Sequence, residues 1–218
     1  AFDTFDHSIL LQELKYYGIR GNAHSLLSSY LTGRTQFTLI NNVKSDLASN
    51  AFGVPQGSVL GPLLFLIYIN DIQFCIPDKH TRLFADDTGI FVSGNNLFSI
   101  IESSQAILNK LEAWFICNKL TISVSKCAWM IFHGKNKRLP DVIPGLYLSG
   151  VEMTKVDSYK YIGLILDSKL TWKQHVNAIC SRLNQYFGIF FHIRNKIPFQ
   201  LTRQVYFSTV FAHINFGL

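Results

Sequence analysis

Two carboxylates stand side by side at Asp86-Asp87, between the apolar stretch Leu83-Phe84-Ala85 and the apolar stretch Gly89-Ile90-Phe91-Val92. Both flanks have the bulky apolar character of half-buried strands, and Asp-Asp-Thr-Gly between them reads as a tight turn. The expectation is a hairpin with both acids at its tip. Two anions about 4 Å apart repel by about 4 kcal/mol at an effective dielectric of 20. A divalent cation held by carboxylate oxygens offsets that cost. The plain alternative is a solvated turn, because Asp is common in turns.

A second stretch able to do chemistry is Gly53-Val54-Pro55-Gln56-Gly57-Ser58-Val59-Leu60-Gly61-Pro62. Its glycines reach backbone conformations that other residues avoid and let another chain approach closely. Ser58 is placed to cap the helix that follows, and Pro62 is tolerated in its first turn. Alone, this pattern is also that of an ordinary loop-to-helix junction.

The elements that must position these stretches follow from periodicity and punctuation. Asp6 is expected to cap a helix through Ile9, Leu10, Leu14 and Tyr17 that stops at Gly18. A second helix spans about residues 23–31 and ends near Gly33. Two strand-like runs, 35–40 and 48–54, are separated by polar residues 41–46. An apolar helix over 59–74 precedes the acidic hairpin, and an amphipathic helix over 96–118 follows it, with Leu97, Ile100, Ile101, Leu108, Leu111, Trp114 and Phe115 at helical spacing. Further strands are expected at 128–132, 146–148 and 159–166, and helices at 173–194 and 200–213, split at Ile197-Pro198. Strands joined as hairpins rather than by regular βαβ crossovers favour an α+β fold.

Composition sets the outer bounds. The 218 residues are 48% apolar and 16% charged, with 18 Phe, as in a globular chain with a substantial core. A net charge of +6 permits a polyanionic partner, and the basic residues thicken towards the second half. Cys75, Cys117, Cys127 and Cys180 form no C-x-x-C or zinc-like pattern, so a reducing compartment fits. No signal peptide is evident. The apolar run 59–69 is too short to span a bilayer and reads as a buried helix. The first and last residues both read as cuts from something longer.

Taken together, the two stretches resemble the reverse transcriptase family, specifically the polymerases of non-LTR (LINE-like, jockey-like) retrotransposons. Gly53 to Pro62 resembles the family's G-V-P-Q-G-S-x-L-G-P, and Phe84-Ala85-Asp86-Asp87 resembles its F-A-D-D metal hairpin. Ala1-Phe2-Asp3-Thr4-Phe5-Asp6-His7 is similar to A-F-D-x-V-D-H, and Tyr68-Ile69-Asn70-Asp71-Ile72 to Y-I-N-D-I. Asn118-Lys119-Leu120-Thr121 up to Lys126 is similar to N-K-L-S-x-N-x-x-K-T. Tyr159-Lys160-Tyr161-Ile162-Gly163, then Leu170-Thr171-Trp172 and His175, is similar to Y-K-Y-L-G … L-T-W-x-x-H. Ordered matches along nearly the whole chain are far more specific than any one of them.

The resemblance implies a right-hand polymerase palm, an antiparallel sheet packed on helices, with a partial helical thumb. Its domains would be palm with part of the fingers over 1–157, a primer-grip-like hairpin over 158–172, and the start of the thumb over 173–218. The implied reaction is RNA-directed DNA synthesis by two-metal nucleotidyl transfer to a primer 3′ hydroxyl. The implied cofactor is Mg²⁺, as two ions, with Mn²⁺ as an alternative. The implied partners are an RNA template, a DNA primer and deoxynucleoside triphosphates, with no membrane, acting in the nucleus or otherwise in a cytoplasmic ribonucleoprotein. Asp86 would bind both metals with Asp87 assisting. Phe2 would be the sugar gate, Pro55, Gln56 and Gly57 would meet template and nucleotide, and Lys126 would assist the pyrophosphate. Tyr161, Ile162 and Gly163 would form the primer grip. The family's third metal carboxylate would precede Ala1, and Asp3 and Asp6 are assigned structural roles instead. Ser123 and Cys127 depart from the family's usual Asn and Thr. Two other readings stay open: a different palm polymerase such as an intron maturase or an RNA-dependent RNA polymerase, and an inactive nucleic-acid-binding remnant.

Overall fold

The computed structural model describes residues 4–55, 57–76 and 81–217. In chain order its helices are α1 His7–Tyr16, α2 Gly21–Leu31, α3 Leu60–Ile69, α4 Ile72–Cys75, α5 Leu97–Cys117, α6 Lys173–Ile193, α7 Phe199–Tyr206 and α8 Ala212–Gly217. The strands are β1 Arg34–Gln36, β2 Leu39–Ile40, β3 Val43–Lys44, β4 Ala48–Asn50, β5 Thr81–Phe84, β6 Asp87–Ile90, β7 Ala128–Trp129, β8 Tyr147–Leu148, β9 Val151–Glu152, β10 Thr154–Lys155, β11 Ser158–Tyr161 and β12 Leu164–Asp167. Among the described residues every sheet is two-stranded, and all pairs but the parallel β7–β10 are antiparallel. The chain is thus a mixture of helices and small sheets. It divides into two compact units, Ala1–Lys126 with Pro144–Glu152, and Cys127–Ile143 with Met153–Leu218.

The core of the first unit follows the helical pattern of its sequence. Leu10 and Leu14 share one face of α1 and are fully buried. Leu64, Phe65 and Tyr68 of α3 and Ile72 of α4 are buried with Phe5, whose ring centroid lies 5.1 Å from that of Tyr68. Ile101, Ile107, Leu108, Leu111 and Trp114 supply the buried face of α5. Each such side chain contributes about 1.5–3 kcal/mol by leaving water. Strand β8 packs on α5, where the Gln105 amide brackets Tyr147, donating to its carbonyl at 2.9 Å and accepting from its N–H at 2.8 Å.

Asp6 caps α1 as expected, accepting from the backbone N–H of Ser8 at 2.8 Å and of Ile9 at 3.2 Å. The helix ends at Gly18, whose φ of +87° lets the Ile19 N–H reach the Leu14 carbonyl at 2.9 Å. Asn96 likewise caps α5.

Several expectations are corrected. Runs 35–40 and 48–54 are not two long strands. Asn41 and Asn42, at φ +48° and +65°, form a two-residue turn that folds β2 back on β3, while β1 pairs with β4. The helix expected over 59–74 is interrupted at Asn70-Asp71, where both side chains are drawn to partners. Asn70 donates to the Tyr17 hydroxyl at 2.7 Å, and Asp71 accepts from the Trp114 indole at 3.1 Å. That helix is not buried all round either, since Leu63 and Leu66 stand half in solvent. The strand expected over 128–132 is only β7, and 159–166 is a hairpin rather than one strand. The last helix, expected over 200–213, passes through a π-helical turn at Phe207–Phe211.

In the second unit β11 and β12 form a hairpin whose second strand packs on α6, and α6 packs on α8. Its buried set is small: among the described residues it comprises Met153, Asp167 and His175. Aromatic side chains of α6, Phe187 and Phe191, stand in solvent.

Candidate active site

The acidic hairpin is built by β5 and β6 in the register Thr81↔Ile90, Arg82↔Gly89, Leu83↔Thr88 and Phe84↔Asp87. Side-chain alternation turns Thr81 and Leu83 inward and Arg82 and Phe84 outward. The two-residue turn is therefore Ala85-Asp86, with Ala85 at φ +50°. The turn therefore lies two residues before the expected Asp86-Asp87-Thr88-Gly89. Asp86 occupies the tip, whereas Asp87 is the first residue of β6, across from Phe84. A turn with positive φ at its first central residue is compatible with the twist of the flanking strands, and the reversal falls at Ala85-Asp86 rather than at Asp-Asp-Thr-Gly.

Both carboxylates are exposed, and among the described residues neither is held by a hydrogen bond or an ion pair. Their oxygens are free for a hard cation. Magnesium takes one or two protein carboxylates and completes its shell with water and substrate phosphates, so this donor pair fits such an ion. Among the described residues no group of three or more His, Cys, Asp or Glu converges.

The second candidate element is the loop that enters α3. Gly53 is buried at φ +67° and Gly57 is exposed at φ +78°, so both glycines take backbone values that favour glycine. Ser58 caps the helix as expected: its hydroxyl accepts from the Gly61 N–H at 3.0 Å. A Cβ on Gly61 would lie 2.8 Å from that hydroxyl and 3.2 Å from Val54, so the motif's third glycine allows the helix to close on the loop. Pro55 is half-buried, and its carbonyl accepts from the Ser58 N–H at 3.2 Å. Gln56 lies outside the described residues, as do Phe2 and Asp3.

The segment before α1 is tied to this loop. Asp6 and Phe52 form an antiparallel bridge, the Gly53 N–H donates to the Phe5 carbonyl at 2.9 Å, and His7 Nε2 lies 2.6 Å from the Gly53 carbonyl. Asp6 also meets Lys119, whose Nζ lies 2.7 Å from Oδ2. That ammonium, then the Ser8 hydroxyl, holds the Asp6 carboxyl far below the usual carboxylate range. The buried Tyr68 hydroxyl donates to the Asn118 carbonyl at 2.6 Å and accepts from the Asp6 N–H at 3.3 Å. Burial pushes the Tyr68 phenol up. Asp6, Tyr68, Asn118 and Lys119 come from three separate motifs, and sequence reasoning gave Tyr68, Asn118 and Lys119 no role. The available signal was a lone Tyr in an apolar helix, which needs a partner for its hydroxyl when buried.

Lys126 ends a short 3₁₀ turn, Val124–Lys126, and is exposed. In the second unit Tyr161 and Leu164 close the β11–β12 turn, with Ile162 at φ +46° and Gly163 at φ +84°. The L-T-W-x-x-H stretch anchors α6 to the end of β12. The Asp167 carboxylate accepts from the N–H groups of Lys169, Thr171 and Trp172, and the Ile165 N–H donates to His175 Nδ1 at 3.3 Å. The Thr171 amide, foremost among these donors, lowers the Asp167 carboxyl. The structure thus brings Asp86 and Asp87 together on one hairpin, and Pro55 and Gly57 on one loop. Tyr161 and Gly163 belong to the other unit.

Comparison with known proteins agrees with this reading. Residues 1–166 match the sequence profile of the family described as reverse transcriptase (RNA-dependent DNA polymerase). The chain is 30% identical over 186 residues to the RNA-directed DNA polymerase from mobile element jockey of Drosophila melanogaster, covering 82% of the chain and 20% of that protein. It is 31% identical over 195 residues to the probable RNA-directed DNA polymerase from transposon X-element of the same fly, covering 84% and 20%. To the probable RNA-directed DNA polymerase from transposon BS it is 30% identical over 198 residues, covering 85% and 21%. The chain therefore spans about a fifth of the length of these curated relatives. On the family match over most of its length, the chain belongs to the reverse transcriptase family, and its relatives are the polymerases of jockey-like mobile elements.

Proposed function

We propose that this chain carries the palm, the primer-grip hairpin and the beginning of the thumb of an RNA-directed DNA polymerase that copies a retrotransposon's RNA in the nucleus. The observation that carries the reading is the β5–β6 hairpin, which exposes Asp86 in its turn and Asp87 at the start of β6 with no competing partner among the described residues. Two Mg²⁺ ions held there would make a primer 3′ hydroxyl nucleophilic and neutralise the leaving pyrophosphate. The protein's own part is to place the reactants. Pro55, Gln56 and Gly57 position template base and incoming deoxynucleoside triphosphate, and Phe2 excludes a ribose 2′ hydroxyl. Lys126 meets the pyrophosphate. Tyr161 and Gly163 hold the DNA primer at the β11–β12 turn. The exposed Arg194, directly after α6, suits contact with backbone phosphates of the template–primer duplex. The domain division that goes with this reading is palm with part of the fingers over 1–157, hairpin over 158–172 and thumb from 173.

Primer extension on an RNA template with Mg²⁺ and deoxynucleotides tests the reading. It is run on the complete reading frame that carries the chain and on the same protein with Asp86→Ala. Extension that Asp86→Ala abolishes is the expected result. Binding of template and primer without extension by the unaltered protein would assign the chain to a nucleic-acid-binding remnant instead.

A further inference from the structure

We propose that His7 is a positioning residue for the loop that meets template and nucleotide, an inference that rests on the functional reading above. Its Nε2 lies 2.6 Å from the Gly53 carbonyl. A carbonyl oxygen only accepts, so Nε2 carries the hydrogen. Both partners are buried, so this bond is formed out of water and the carbonyl has no solvent to fall back on. Gly53 is also where the chain bends, at φ +67°, before the segment containing Pro55 and Gly57. The bond therefore fixes the loop's entry. Its exit is anchored separately, by the Ser58 hydroxyl on the Gly61 N–H and by the Pro55 carbonyl on the Ser58 N–H.

His7 itself stands on a rigid base. It is the first residue of α1, directly after Asp6, and Asp6 is held by Lys119, by the Tyr68 hydroxyl and by its bridge to Phe52. The return bond from the Gly53 N–H to the Phe5 carbonyl completes a two-way link between residues 5–7 and the loop's first glycine. The imidazole is the side-chain half of that link. Its loss would let Pro55 and Gly57 wander while leaving the hairpin that carries Asp86 and Asp87 untouched. A defect of that kind appears in nucleotide binding rather than in the chemical step.

The test compares three proteins made on the complete reading frame: unaltered, His7→Leu, which fills the space without a donor, and His7→Gln, whose amide nitrogen can take the place of Nε2. The first readout is hydrogen exchange of the backbone amides over residues 53–60, which needs no activity. Exchange there is expected to run about tenfold faster in His7→Leu and to return to the unaltered rate in His7→Gln, with α5 and α6 unchanged in all three. The second readout is primer extension, where KM for deoxynucleotide is expected to rise about tenfold in His7→Leu with kcat retained, and to recover in His7→Gln. Unchanged exchange over the loop in His7→Leu overturns the proposal. So does faster exchange spread across the whole chain that His7→Gln fails to correct, because that marks a general structural role. If the unaltered protein does not extend primers, the polymerase reading falls, while the exchange comparison still decides whether His7 holds the loop.

Discussion

The ammonium of Lys119 sits 2.7 Å from the Asp6 carboxylate, joining the residue just past the end of α5 to the cap of α1. Lys119 makes that contact from φ +52°, a backbone setting that suits glycine. It allows the Leu120 N–H to reach the Phe115 carbonyl at 2.9 Å and close the helix end. The Lys side chain is 60% exposed, so its ion pair is worth at most about 1 kcal/mol. The left-handed backbone costs a non-glycine residue about 1–2 kcal/mol. Lys119→Met should therefore destabilise by less than about 1 kcal/mol, and Lys119→Gly should be more stable than Lys119→Met. Asp6→Ala loses the cap as well, at about 1 kcal/mol more. Urea denaturation of the three variants checks the order, and equal losses for Lys119→Met and Asp6→Ala would refute it.

At the acidic hairpin, Ala85 holds the turn at φ +50°, where the first central position of such a turn prefers glycine. Ala85→Gly should keep or raise stability by up to about 1 kcal/mol. Ala85→Val should lower it by more than about 1 kcal/mol, because a β-branched residue is a true outlier there. Thermal unfolding measures both. A Val variant as stable as the unaltered protein would mean that the reversal does not sit at Ala85-Asp86.

Asp167 makes the start of α6 sensitive to acid. Amide donors from Thr171, Trp172 and Lys169 favour its charged form, so the folded carboxyl lies below its unfolded value. A group lowered on folding contributes stability that is complete above the unfolded range near about 3.9 and is lost as pH falls through the folded value. The stability difference between the unaltered protein and Asp167→Asn should hold steady from pH 7 to pH 5 and shrink only on the acid side of the unfolded value. Urea titrations at stepped pH read this directly, and a difference that grows on acidification would contradict it.

Gly163 is constrained twice. Its φ is +84°, and a Cβ there would lie 2.8 Å from Cε1 of Phe216. Gly163→Ala should cost at least about 1–2 kcal/mol in backbone strain, with a ring clash added. Phe216→Ala removes only the clash, so the double variant should recover part of the loss and not all of it. A double-mutant cycle by chemical denaturation measures the coupling. Strict additivity would show that the ring and the turn do not meet.

Local physics explains which elements could be read from the sequence. Helix α1 was legible from Asp6 at its start, Gly18 at its end and the Leu10–Leu14 spacing between them, all within one short window. Helix α5 was legible from the helical spacing of its apolar residues, and the acidic hairpin from its apolar flanks. The register of that hairpin was not. Its turn depends on which residue accepts positive φ, and Asp-Asp-Thr-Gly reads as the turn while Ala85 takes the role. The break between α3 and α4 was also hidden, because the residues that draw Asn70 and Asp71 away, Tyr17 and Trp114, lie far along the chain.

What the sequence determined by itself was the span of α1 and α5, the caps at Asp6 and Ser58, and the ordered motifs by which the family is known. Capping, periodicity and motif spacing are properties of neighbouring residues, and neighbours are what a sequence displays. Only the tertiary structure decided where the buried polar groups find their partners: the His7 imidazole on Gly53, 46 residues away, and the Tyr68 hydroxyl on Asn118, 50 residues away. A buried donor takes whichever acceptor the packed core brings within reach, and that choice is made by the fold as a whole.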